Sequence, residues 1–345
     1  MSAAPVLTVD DLRVSFRTEE GTVQAADGIS FEVRKGEVLA IVGESGSGKS
    51  VTAMTLMGLT RSPNAEISGT AQLGDTELIG VSDEKLRSIR GDRMAMIFQD
   101  PMSSLNPVYR VGDQIVEQIQ AHTDMTDEQA FARAVDLLEK VGIPAPEERA
   151  RAFPHEFSGG MRQRAMIAMG LSLEPELLIA DEPTTALDVT IQAQILRLLK
   201  TLNTDLGVAT VLITHDLGVV AEIADRVMVM YGGRVVESGT LDQIFYDPQH
   251  PYTWGLLGSI ARLDRPRTAR LSQIKGQPPS LVSPPEGCHF RPRCPHEFAK
   301  CKELPALDAR TGDGAHRDRC WLAPEQKQVL RVLENGDIGL ELPAA

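Results

Sequence analysis

Eight residues, Gly43-Glu44-Ser45-Gly46-Ser47-Gly48-Lys49-Ser50, constrain this chain more than any other stretch. They follow an apolar run, Val38-Leu39-Ala40-Ile41-Val42, that reads as a buried strand. They precede Val51-Thr52-Ala53-Met54-Thr55-Leu56-Met57, which reads as a helix. Strand, glycine-rich turn and helix in that order make a phosphate cradle. Glycines reach backbone conformations that a side chain forbids, so their N–H groups can converge on phosphate oxygens. The helix N-terminus adds the positive end of its dipole. Lys49 is expected to reach the β- and γ-phosphates of a nucleotide, and the Ser50 hydroxyl to ligate Mg²⁺.

With 345 residues the chain is long enough for two or three lobes. Its formal net charge of −13 argues against non-specific binding to nucleic acid or anionic lipid. Met1-Ser2-Ala3-Ala4-Pro5-Val6 has no basic segment followed by an apolar one, so no secretory signal is read. No apolar run is long enough to span a bilayer; the stretch 208–229 is broken by His215, Asp216, Glu222 and Asp225. Membrane association would need a partner.

Residues 7–41 alternate apolar and polar positions (Leu12, Val14 and Phe16, then Ile29, Phe31 and Val33), a β-rich pattern. Phe16 reads equally well as a core aromatic or as a platform for an adenine ring. Met94-Ala95-Met96-Ile97-Phe98 reads as a buried strand leading to Gln99, either a sensor of Mg²⁺ or water or a solvated loop residue, and then to a proline-punctuated loop. Residues 111–175 read as helical. Thr126 and Gln129 form a capping box, and Phe131, Ala134, Val135 and Leu138 follow at helical spacing. Ser158-Gly159-Gly160-Met161 then precedes a helix over 165–173, either a second anion site or an ordinary N-cap.

Leu177-Leu178-Ile179-Ala180-Asp181-Glu182 is an apolar strand ending in two adjacent carboxylates. Asp181 is placed to hold Mg²⁺ through its water shell, and Glu182 to polarise an attacking water. A helix is expected over 190–202. A further apolar strand ends at His215, which in this context is read as a γ-phosphate contact. Residues 226–240 read as a hairpin around Gly232-Gly233.

This ordered set resembles the nucleotide-binding subunit of ABC transporters over roughly residues 6–245: a Walker A cradle at 43–50, Gln99, Ser158-Gly159-Gly160, a Walker B strand with Asp181-Glu182, Asp188 and His215. The resemblance implies an α/β P-loop ATPase with a parallel sheet core, an antiparallel β subdomain and a helical subdomain at about 100–172. It implies ATP and Mg²⁺ contacts from Phe16, Gly43, Ser45, Gly46, Ser47, Gly48, Lys49, Ser50, Thr52, Gln99 and Asp181. Glu182 becomes the general base, with His215 and Gln99 beside it. Ser158, Gly159, Gly160 and Met161 act on the ATP of a paired subunit, and Asp188 lies in the loop between the two. The family usually has Gln where this chain has Met161.

Two further stretches, the loop from Gln99 to Pro107 and Asp247-Pro248-Gln249-His250-Pro251-Tyr252-Thr253, look like those of oligopeptide and dipeptide importer ATPases. The family implies a second ATP-binding subunit (a heterodimer), two permeases and a substrate-binding protein, with this chain peripheral on the cytoplasmic face of the membrane. Nickel and some sugar importers share the motifs. A soluble DNA-maintenance ABC ATPase is the alternative class. It is disfavoured by the acidic charge and by the absence of a long coiled-coil or cysteine-bearing insertion between the two nucleotide motifs.

All four cysteines, Cys288, Cys294, Cys301 and Cys320, lie in the remaining segment, 246–345. A short segment poor in apolar residues gains folding energy from a metal. The spacing C-x₅-C-x₆-C-x₁₈-C says four thiolates and a soft metal without choosing which. The resemblance leans towards a [4Fe–4S] cluster; Zn²⁺ and no metal remain open, as do His289, His296 and His316 as substitute ligands.

Overall fold

The computed structural model describes residues 4–100, 104–185, 187–259, 274–309 and 314–335. Pro101, Met102 and Ser103 of the loop after Gln99, and Ala186, lie outside them. The first sheet is antiparallel, in the order β2-β1-β4-β5: β1 (Pro5–Thr18), β2 (Gly21–Arg34), β4 (Ala65–Leu73) and β5 (Thr76–Glu77). Its alternating pattern buries Leu7, Val9, Leu12 and Val14 on one face, as a sheet with one covered side requires.

The larger sheet carries the site. Four strands are buried from end to end: β3 (Val38–Val42), β6 (Met94–Ile97), β7 (Leu177–Asp181) and β8 (Ala209–Thr214). Such unbroken apolar runs suit parallel strands covered on both faces. They run in the order β3-β8-β7-β6, all parallel, with β9 (Arg226–Tyr231) parallel on the other side of β3. Val42 pairs with Thr214 and Asp181 with Ile213, so three strands end side by side. Ligands of open α/β sheets bind in the crevice beyond such carboxyl ends.

After the helices α1 (Lys49–Leu56) and α2 (Asp83–Ile89), a helical block lies between β6 and β7: α3 (Val111–Gln120), α4 (Asp127–Lys140), α5 (Pro146–Ala150) and α6 (Gly159–Gly170). The Thr126–Gln129 capping box opens α4 as the sequence indicates. Its buried stripe is centred on Ala130, Ala134, Leu137 and Leu138, with Phe131 and Val135 partly buried beside it. The α6 helix starts at Gly159, earlier than the 165 that its apolar pattern indicates, because the Ser158 side chain caps it by accepting from the Met161 N–H.

The C-terminal segment joins the cassette directly. Short strands β11 (Asp308–Ala309) and β12 (Arg317–Asp318) extend the main sheet through β10 (Arg234–Thr240). A helix, Pro251–Gly258, buries Tyr252, Trp254 and Leu257 in one cluster with Tyr231, Val236, Phe290 and Leu322. Glu237 ties these parts together. Fully buried, it accepts from the Gln249 N–H at 2.6 Å and the His250 N–H at 2.9 Å, and its Oε1 lies 2.9 Å from His316 Nε2. Among the described residues, no helix is long and apolar enough to cross a membrane.

Glu237→Ala leaves two backbone donors and a buried imidazole without their partner. It is expected to cost about 3–5 kcal/mol, as removal of one member of a buried polar pair does. A lower urea midpoint and earlier proteolysis near residue 247 are the readouts. A midpoint equal to wild type contradicts this docking role.

Candidate functional site

The cradle begins where β3 ends. Gly43 and Gly48 hold positive φ values of 155° and 99°. A Cβ at Gly43 would stand 2.2 Å from the Met230 carbonyl, and one at Gly48 2.3 Å from the Ala25 carbonyl. Only glycine fits at either position. The Lys49 ammonium is turned into the loop, donating to the carbonyls of Gly43 at 2.8 Å and Glu44 at 3.0 Å. Burial lowers its pKa, while Glu182, Asp181 and Glu44 act in the opposite direction.

Ser50 Oγ donates to Asp181 Oδ1 at 3.0 Å. Burial raises the Asp181 pKa, and the Ser50 hydrogen bond opposes it. A hydroxyl and a carboxylate in contact at the cradle are the hard oxygen donors that Mg²⁺ takes, so the residues present fit that ion.

Glu182 has φ +47°, a strained value for a residue with a side chain. Its N–H donates to the Ile213 carbonyl at 2.8 Å, which pins the turn to β8. Three groups converge on its carboxylate: Gln99 Nε2 at 2.9 Å, Thr185 Oγ1 at 2.9 Å and His215 Nδ1 at 3.0 Å. Burial pushes the Glu182 pKa up, but the bonds from His215 and Thr185 outweigh it and hold the carboxyl below the usual range. It is an ionised acceptor with its orientation fixed, able to take a proton from a water beside it. Gly43, Ser45, Gln99, Glu182 and His215 line one cavity of about 690 Å³.

Other residues singled out from sequence lie elsewhere. Phe16 is partly buried against the core between the two sheets and does not line this cavity. Thr52 is fully buried, its hydroxyl donating to the Gly48 carbonyl within the helix. Asp188 caps the helix Val189–Leu206 by accepting from the N–H groups of Thr190 and Ile191. Ser158, Gly159, Gly160 and Met161 sit at the start of α6, outside the cavity. Sequence reasoning missed three contributors. Thr185 bonds Glu182, Tyr252 Oη accepts from the Glu44 N–H at 2.8 Å, and Arg293 pairs with Glu44. A hydroxyl three residues beyond the carboxylate was a signal for Thr185. The other contacts span more than 200 residues and had none.

Cys288, Cys294, Cys301 and Cys320 line one enclosed cavity of about 20 Å³, together with His250 and His296. Burial pushes the Cys294 and Cys320 thiols up to about 12, against bonds from the backbone of His296 and Leu322. The donor chemistry, one buried and three partly buried cysteines lining one space, fits a soft metal. Among the described residues, no three or more Cys, His, Asp or Glu side chains are drawn together at ligating geometry. Two of the histidines weighed as substitutes are engaged elsewhere: His289 on the Gly232 carbonyl and His316 on Glu237.

Two family models match the chain: "ABC transporter" over residues 26–185 and "Oligopeptide/dipeptide transporter, C-terminal region" over residues 236–301. The dipeptide transport ATP-binding protein DppD of Bacillus subtilis is 52% identical over 325 residues, which cover 94% of this chain and 96% of that protein. The oligopeptide transport ATP-binding protein OppD of Escherichia coli is 50% identical over 309 residues, covering 90% and 91% respectively. Among solved structures, a dimeric ATP-binding cassette in a post-hydrolysis state with ADP and Pi superposes with TM-score 0.62. It has 26% identity, over 68% of this chain and 98% of that one.

Gly48→Ala is expected to weaken ATP binding about tenfold or more, because strain of this kind costs on the order of 1–3 kcal/mol and must displace the Ala25 carbonyl. Equilibrium titration with a fluorescent ATP analogue checks it. Wild-type affinity would mean that the cradle does not need this backbone conformation.

Proposed function

The chain belongs to the family of oligopeptide and dipeptide transport ATP-binding proteins, and from that premise we propose the following division of labour within a peptide ABC importer. The chain is its energy-coupling ATPase, peripheral on the cytoplasmic face of the membrane. The observation that carries the assignment of roles is the Glu182 carboxylate, fixed by Gln99, Thr185 and His215 in one cavity with Gly43 and Ser45 of the cradle. Phosphoryl transfer to water needs positioning and charge neutralisation more than covalent chemistry.

In this reading the N–H groups of the cradle and Lys49 take the β- and γ-phosphates. Lys49 already sits among the Gly43 and Glu44 carbonyls and exchanges these neutral acceptors for anionic ones. Ser50 and Asp181 would hold Mg²⁺, which would supply charge neutralisation at the phosphate oxygens. Glu182 takes the proton of the attacking water, Gln99 orients that water, and His215 contacts the γ-phosphate. Phe16 stacks on the adenine ring. Ser158 and Gly159, exposed at the start of α6, face the ATP of a second, non-identical ATP-binding subunit. The domain boundaries follow the same reading: residues 6–245 form the cassette and 246–345 the extension.

Two permeases are the further partners, with a substrate-binding protein on the complex. A groove between sheet and helical block supports this. It is lined by Met57, Leu59, Met96, Phe98, Met166 and Met169, and Leu59 and Phe98 are 46% and 40% exposed. Methionine-rich apolar surface suits an adaptable protein contact. Gln99 and the helical block adjoin it, so closure around ATP is passed to whatever sits there. The cargo is a peptide, with nickel or another solute of the same importer class as the second reading.

For the thiol cavity the reading is a [4Fe–4S] cluster held by Cys288, Cys294, Cys301 and Cys320, with Zn²⁺ as the alternative. Its support is that all four cysteines line one small space. The cluster would act structurally or in redox regulation.

Glu182→Gln should keep ATP affinity while hydrolysis falls by about 10²–10⁴-fold, the usual contribution of a general base. Lys49→Ala should lose affinity in the same assay. Turnover near wild type in the first, or intact affinity in the second, would remove these roles. Anaerobically purified protein should contain iron and absorb broadly near 400 nm, and Cys288→Ser should abolish both. Zinc alone would select the alternative, and a metal-free protein would end the metal reading.

A further inference from the structure

The first turn of the cradle is gripped from outside by the C-terminal segment. Arg293 Nη1 donates to Glu44 Oε2 at 2.6 Å and Nη2 to Oε1 at 3.1 Å, a two-pronged pair. The remaining donors are also engaged: Nη1 with Tyr231 Oη at 3.2 Å, Nη2 with the Ile274 carbonyl at 3.3 Å and Nε with the Lys275 carbonyl at 3.0 Å. The Arg293 side chain is only 6% exposed. Tyr252, from the same segment, accepts from the Glu44 N–H. One residue of the phosphate loop is thus held through its backbone and its side chain by groups more than 200 positions away.

Glu44 is an awkward residue in such a loop. It puts a carboxylate beside the place where a triphosphate binds, and its field already reaches Lys49. An unpaired carboxylate there repels the phosphates and competes with them for the ammonium. The guanidinium offsets both effects, because it pairs with the carboxylate through two hydrogen bonds and fixes its position. Its own position is set by the thiol-bearing segment. Arg293 closes the short turn Arg291–Arg293, its N–H donates to the Phe290 carbonyl at 2.9 Å, and Cys288 and Cys294 flank the turn and line the thiol cavity.

We propose that Arg293 is a positioning residue of the nucleotide site. It pairs with the Glu44 carboxylate so that Lys49 and the cradle N–H groups are left for the phosphates, and it makes ATP affinity depend on the docked C-terminal segment. This rests on the assignment of the cradle to ATP.

The test titrates the full-length chain with a fluorescent ATP analogue and follows KM against kcat in the assembled complex. Arg293→Ala should raise the dissociation constant and the KM for ATP about tenfold, within the usual range for coupled sites. The kcat should fall less than KM rises. Arg293→Gln with Glu44→Gln should recover most of that affinity, because the offending charge is gone. Arg293→Lys keeps the charge and the buried stem, and should fall between wild type and Ala. Unchanged affinity in Arg293→Ala overturns the proposal. So does a double variant as weak as the single one, since that pattern means Arg293 only packs the segment in place. Should Ala unfold the protein, the Lys variant, alone and with Glu44→Gln, gives the same decision. Lys49→Ala in the same titration separates the premise: intact binding there fells the ATP assignment and this inference with it.

Discussion

A buried ammonium among backbone carbonyls sets the conditions for the rest of this molecule. Lys49 is 5% exposed, and keeping it charged there costs solvation. The Gly43 and Glu44 carbonyls offset part of that cost locally. The remainder falls to Asp181 and Glu182, which approach because parallel strands end side by side, and to Glu44 of the same loop. The register of the main sheet and the charge balance of the loop are therefore one constraint. The strain at Glu182 is sustained by that well-buried sheet.

The parts of the site that were legible in sequence are those encoded by adjacent residues. The strand-turn-helix around Lys49, the paired carboxylates at the end of β7 and the histidine after β8 carry their context with them. Parallel, fully buried strands also announce themselves as unbroken apolar runs. The start of α6 was less legible, because glycines obscure the helical pattern and the cap at Ser158 decides it. The meeting of Gln99 with Glu182 was foreseeable only as a shared neighbourhood. Its 2.9 Å contact depends on how β6 and β7 pair.

The C-terminal segment was the least legible because its structure is borrowed. Its two short strands complete a sheet begun elsewhere, and its helix Pro251–Gly258 fills a cluster shared with β9 and β10. Glu237 and Arg293 reach across 79 and 249 positions, respectively, to His316 and Glu44. Periodicity and local motifs do not encode such distances. The cysteines stood out in sequence for their number, and in three dimensions they gather on one small cavity beside the turn that carries Arg293. The turn that carries Arg293 thus lies between the cysteine cavity and Glu44 of the phosphate loop.

The central claim is that this chain works as one half of an ATPase pair seated on two permeases. Isolation of the tagged chain from detergent-solubilised native membranes, with its companions identified by mass spectrometry, tests it most directly. The account predicts a second, non-identical ATP-binding subunit and two integral membrane subunits, joined by a peptide-binding protein when peptide is present. Recovery without any membrane subunit, in company with DNA-processing proteins, would contradict it.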